Sequence, residues 1–154
     1  MAGTAGNDNY QVMLEAAWLD LYGWEKPRPP EVSASGLGGG TPGQPLTVDQ
    51  LADGSLVVTF DAIAGAQRYN LYVGRLSTLP TGGYDHGSGA PAGPFCDAPT
   101  QSAGAGRLSI TLPPGSVPGL NTYMLVTAHV DGVESPAGYR SDGAEIDRSQ
   151  STCR

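Results

Sequence analysis

From residue 46 onward, apolar and polar side chains alternate in short runs, and a period of two dictates β-strands. "SLVVTFDA" sets Leu56, Val58 and Phe60 on one face. "RYNLYVG" sets Tyr69, Leu71 and Val73 on one face and Asn70 and Tyr72 on the other. "RLSITL" aligns Leu108, Ile110 and Leu112, and "TYMLVTAHV" aligns Thr122, Met124, Val126, Ala128 and Val130. "LTVDQL" reads as a further strand, and the region 133–147 supplies a last one around "AEID". Turn signals such as Asp53-Gly54 separate the runs. The stretch 76–105, rich in Gly, Pro and Ala, reads as a long irregular connection. With 23 glycines and 13 prolines, the chain has many turns and little room for long helices. The fold class that follows is all-β, an antiparallel β-sandwich. The same alternation turns Tyr72 outward, as the strand residue placed for contact with a partner, and turns His129 toward solvent.

The strong helix signal is at the other end. Over residues 8–22, Asp8 can cap, Gln11 stands three residues later, and Gly23 can end the helix. Tyr10, Met13, Leu14, Ala17, Trp18 and Leu21 form one helical stripe. A lone helix of about 15 residues is marginal in water, so it needs a surface to lie on. That surface is either an edge of its own domain or a neighbouring subunit. The second reading makes Tyr10, Met13, Leu14, Trp18, Leu21, Tyr22 and Trp24 interaction residues; both tryptophans of the chain fall here. "EKPRPPEV" then reads as a stiff spacer and "SASGLGGGTPGQP" as a flexible linker. The expected organisation is an arm over 1–30, a Gly/Pro-rich linker over 31–45, the sandwich over 46–148 and a tail over 149–154. Gly38, Gly40 and Gly43 form a GxGxxG, but Pro42 and Pro45 forbid the helix start that a dinucleotide fingerprint requires.

Charge excludes several partners. The net charge is −7, and Lys26 is the one lysine. No basic face is visible to offset nucleic-acid phosphate or an anionic membrane. No apolar run is long enough for a membrane-spanning helix. The N-terminus lacks a basic region followed by an apolar one, so either a signal has been removed or the chain does not use the secretory route. Cys96 and Cys153 are either disulfide partners or two unrelated thiols. With His86 and His129 they show no zinc-ligand spacing, and no metal or cofactor is expected.

"SLVVTFDAIAGAQRYNLYVG" resembles the B–C hairpin of fibronectin type III-like domains: an apolar strand ending in an aromatic, a small-residue turn, then Tyr-x-Val-Tyr. Phe60 stands where that family usually has Trp, and Ala66 and Tyr69 fit directly. "GLNTYMLVTAHVDGVES" resembles the F strand and F–G turn. The likeness spans residues 46–147. It departs at Thr122, which takes the place of the family's corner tyrosine, with Tyr123 one position late, and in a longer connection after strand C. The chain is also similar to type III-like repeats of secreted bacterial proteins and to sandwich modules that decorate phage heads and tails. Such modules are non-catalytic spacers, adhesive units or assembly contacts.

Candidate chemistry is thin. Ser88 in "HGSGA" lacks the spacing of a nucleophile elbow, and Asp85 and His86 are adjacent loop residues. Asp131, Glu134, Asp142, Glu145 and Asp147 read as solvated turn acids, and no calcium-loop pattern is present. The resemblance, taken with the one-faced arm, implies a non-enzymatic structural or assembly module that docks through that arm onto copies of itself or a larger particle, a homo-oligomer or particle subunit located on a virion or another extracellular particle. The alternative is a secreted adhesion or carbohydrate-binding module that holds glycan through aromatics such as Tyr72 and Tyr84. An enzyme would need His86 with Ser88 or a carboxylate in a cleft.

Overall fold

A computed structural model describes residues 28–32, 43–81, 84–86, 92–117, 121–146 and 153. The helix expected over 8–22, with its aromatic residues, falls outside the described residues. Seven strands are described: β1 (Thr47–Gln50), β2 (Leu56–Asp61), β3 (Arg68–Arg75), β4 (Gln101–Gly104), β5 (Arg107–Leu112), β6 (Thr122–Val130) and β7 (Val133–Glu134). Among the described residues, the one helix is a short 3-10 segment, Leu76–Thr81. The fold is all-β.

Two sheets are formed, one of four strands in the order β1-β2-β5-β4 and one of three in the order β3-β6-β7. Every pairing is antiparallel. β2 and β5 place Val58 opposite Ile110 and Phe60 opposite Leu108. β3 and β6 place Tyr69 opposite Ala128 and Leu71 opposite Val126. Val58, Phe60, Ile110 and Leu112 of the first sheet share one buried cluster with Tyr69, Leu71, Val126 and Ala128 of the second. Each large side chain fully withdrawn from water contributes about 1.5–3 kcal/mol, so this shared cluster is the main force joining the sheets. Phe60 packs on Tyr69 at 5.1 Å between ring centroids. The Tyr69 hydroxyl accepts from the Ile63 N–H at 2.8 Å and so fixes the turn between β2 and β3.

The β6–β7 hairpin closes on Asp131 and Gly132, with φ of 51° and 80°. Two successive positive φ values match a two-residue hairpin turn, which is what Asp-Gly favours.

Two strand expectations change. Gln101–Gly104 pairs with β5 inside the stretch expected to be irregular. It is exposed at every position, so it carries no alternation to read. The strand expected around "AEID" is a single bridge, Tyr139 to Glu145, and the strand after the hairpin is the two-residue β7.

Segments expected as connectors are tied to the sheets. Val32 is buried in the core cluster. Arg28 donates to both carboxylate oxygens of Glu145 at 2.8 and 2.9 Å. The Gln44 N–H donates to Asp61 at 2.6 Å, and Arg107 donates to the Pro45 carbonyl at 2.7 Å. Cys96 and Cys153 form a disulfide, with Cα atoms 5.3 Å apart.

Candidate functional site

The site grows from the second face of β3. Residues 69 to 74 are all buried, so both faces of this strand are covered. Tyr69 and Leu71 enter the shared core. On the other face Asn70 and Tyr72 are buried as well, with Tyr72 at 0% exposure. The expectation of an outward Tyr72 is corrected. His129, expected toward solvent, is 5% exposed. The alternation was right, but it assumed that the second face meets water.

Register explains which side chains meet there. β3 and β6 pair Arg68 with His129, Asn70 with Thr127 and Tyr72 with Leu125, and β7 sets Glu134 opposite His129. Glu134 Oε1 accepts from the Tyr72 hydroxyl at 2.9 Å, the Thr127 hydroxyl at 2.5 Å and Asn70 Nδ2 at 3.2 Å. His129 Nε2 lies 3.7 Å from the same oxygen. Asn70 Nδ2 is also 2.9 Å from His129 Nε2, and Arg68 is 3.3 Å from His129 Nδ1. Asn70 Oδ1 accepts from the Asp97 N–H at 3.0 Å, which orients the amide. Two donors therefore face one imidazole. A neutral ring has a single acceptor nitrogen, so one tautomer satisfies one of these contacts at a time.

A second cluster adjoins the first through Tyr72. The His86 ring lies 5.5 Å from the Tyr72 ring, and Tyr84 stands edge-on to Tyr123 at 5.6 Å. Tyr84 is half-buried and His86 is buried. The Tyr123 hydroxyl accepts from the Asp85 N–H at 2.9 Å and meets His86 Nδ1 at 3.2 Å. Its ring covers Gly74, the residue paired with it across the sheet, and a Cβ at 74 would overlap that ring. Burial pushes the Tyr123 hydroxyl up to about 12. Burial also pushes the Asp85 carboxyl up, but the Arg75 backbone N–H and guanidinium outweigh it and hold the group below its ordinary value. The Arg75 N–H donates to Asp85 at 2.7 Å, and its guanidinium is 3.0 Å away.

Chemically, the layer directs the acidic Glu134 at its own neighbours. One oxygen of this half-buried side chain takes three donors, which offset the hydration it loses. Among the described residues, no three His, Cys, Asp or Glu side chains gather to hold a metal ion. The remaining acids are dispersed: Glu145 binds Arg28, Asp142 pairs with Arg140 at 3.4 Å, and Asp131 accepts from Gln67 at 3.2 Å. Ser88 and Asp147 lie outside the described residues, as do Tyr10, Met13, Leu14, Trp18, Leu21, Tyr22 and Trp24. Sequence reasoning missed Asn70, Thr127, Glu134 and Tyr123. The available signal was a polar residue at alternate positions of two strands that pair with each other.

The first sheet offers a different surface. Val48 of β1 is 44% exposed. Beside it an open groove of about 580 Å³ runs between the two sheets, lined by Leu46, Val48, Leu56 and Val117 and, from β6 of the second sheet, by Thr122 and Met124.

No protein-family model, curated protein or solved structure matches the chain.

Proposed function

We propose that this chain is a non-enzymatic structural module, a β-sandwich of the fibronectin type III or immunoglobulin-like kind that docks through its N-terminal arm. The docking partner is another copy of itself or a larger extracellular particle, such as a phage head or tail. The strand order supports the fold type. Taken in chain order as A to G, the sheets read A-B-E-D and C-F-G, the seven-strand arrangement of constant-type immunoglobulin domains. Fold alone does not give function, so the reading rests on the arm.

The observation that carries it is the fixed root of that arm. Arg28 grips Glu145 with two hydrogen bonds, and Val32 is set into the core. The aromatic stripe of the sequence, with Trp18, Leu21, Tyr22 and Trp24, comes a few residues before this root. A stripe held at one end loses less freedom on docking than one hung from a free linker. Trp18→Asp and Leu21→Asp, compared with the unaltered protein by native mass and sedimentation, test the reading. Multimers that dissociate in the variants support it. An assembly that survives both, or an unaltered protein that is monomeric at all concentrations, overturns it.

A secreted adhesion or carbohydrate-binding module is the second reading, and the disulfide favours it. Disulfides persist in oxidising compartments. The buried Tyr72 takes one of the two aromatics away from a glycan platform, leaving the half-buried Tyr84. Glycan-dependent retention lost in Tyr84→Ala would favour this reading over the arm.

A further inference from the structure

β3 is an edge strand. Its inner neighbour is β6, and its other side is covered by a short loop segment rather than a strand. Leu71 and Phe95 exchange two backbone hydrogen bonds, at 3.0 and 2.9 Å, and the Ala98 N–H donates to the Tyr69 carbonyl at 2.9 Å. Cys96 sits inside this cover and carries the disulfide to Cys153. Cys96 is exposed while Cys153 is 8% exposed, so a reductant reaches the bond from the Cys96 side. The same cover touches the buried polar layer, because the Asp97 N–H orients Asn70 and Asn70 bonds Glu134 and His129.

We propose that the Cys96–Cys153 disulfide is a redox-operated clasp on the outer edge of β3, the edge that Phe95–Ala98 covers. Closed, it holds Phe95–Ala98 against Tyr69 and Leu71. Opened, it releases that segment and the orientation of Asn70 while the two sheets stay folded. The reductant is a dithiol. One thiolate attacks Cys96 Sγ, forming a mixed disulfide and expelling the Cys153 thiolate, which takes a proton. The second thiol of the reductant, as thiolate, then displaces Cys96, which is protonated in turn. Two electrons and two protons end on the protein, and the reductant leaves as a disulfide. The strand ladders do not run through the clasp, since β2 pairs with β5 and β3 with β6 directly; from the clasped segment, Ala98 enters the shared core and Phe95 packs against it.

Hydrogen exchange on the full chain tests this, oxidised and after treatment with dithiothreitol, with Cys153→Ser as a second route to the open state. Opening should speed exchange at the Leu71, Phe95, Asp97 and Ala98 amides by about tenfold or more and shift the Asn70 side-chain amide resonances, with the β2–β5 amides unchanged. Unchanged exchange at those four amides would overturn the clasp, since the cover would then hold without the bond. Loss of protection across both sheets together would also overturn it, since the disulfide would then be a staple of the whole fold.

Discussion

The two sheets are built from similar alternating sequences and meet water differently. In the β1-β2-β5-β4 sheet, every position of β1 and β4 is exposed, and Thr111 of β5 is exposed on the face away from the core. In the β3-β6-β7 sheet, the middle of β3 and the second half of β6 are buried on both faces. The first sheet is stabilised from one side by apolar contact. The second has an apolar side and a polar side, and the polar side is hydrogen-bonded within itself. A sheet covered on both faces needs its second layer satisfied, because unpaired polar groups there cost about 1–3 kcal/mol each.

The sharpest way to break this contrast is a matched pair of truncations on the two outward-facing layers. Tyr72→Ala removes a fully buried ring and one of the three donors on Glu134, and should cost about 3–5 kcal/mol. Thr111→Ala touches the exposed layer of the other sheet and should stay within about 0.5 kcal/mol. Urea denaturation at constant m-value measures both. Equal effects would mean that the second layer is not a packed one.

That contrast also explains what the sequence disclosed. Val58, Phe60, Ile110 and Leu112 were legible as core because their strands bury one face, and a period of two then names the buried side. Tyr69 and Leu71 were legible because the same period sets them on one apolar face of β3, although its other face is buried too. Tyr72 and His129 were misread because the pattern says which residues share a face, not what lies over it. Glu134 looked like a turn acid beside Asp131-Gly132. Its role comes from β3, more than 60 positions away in sequence at Asn70 and Tyr72. The same limit hid the Arg28–Glu145 pair and left the cysteines open, since both depend on distant pairing. β4, wet on all sides, left no pattern at all.

Gly74 sharpens the comparison within the second sheet. It is the position where β3 gives up its side chain so that the Tyr123 ring can lie across it. Gly74→Ala should cost about 1–3 kcal/mol, because the ring is tethered to Asp85 and His86 and must tear from them to move. In a Tyr123→Ala background the same change should cost much less, and the double-mutant cycle reads the difference as coupling. Additive costs would show that the ring yields freely and that the 84–86 loop does not fix it.

The smallest effect is a pH dependence confined to the second sheet. The Tyr123 hydroxyl has its ordinary value near 10.0 in the unfolded chain and about 12 when folded. Below pH 10 both states hold the proton, so the contribution is fully present. As pH rises from 10 toward 12 the unfolded chain releases its proton first, which favours unfolding, and the contribution is lost by the folded value. Tyr123→Phe removes the titration along with the acceptor for the Asp85 N–H, so it should be less stable at neutral pH yet flatter over that alkaline window. Denaturation midpoints of the two proteins from pH 8 to 11 should converge. Parallel curves would place the Tyr123 hydroxyl in water and remove it from the buried layer, which would bring this half of the second sheet closer to the wet face of the first.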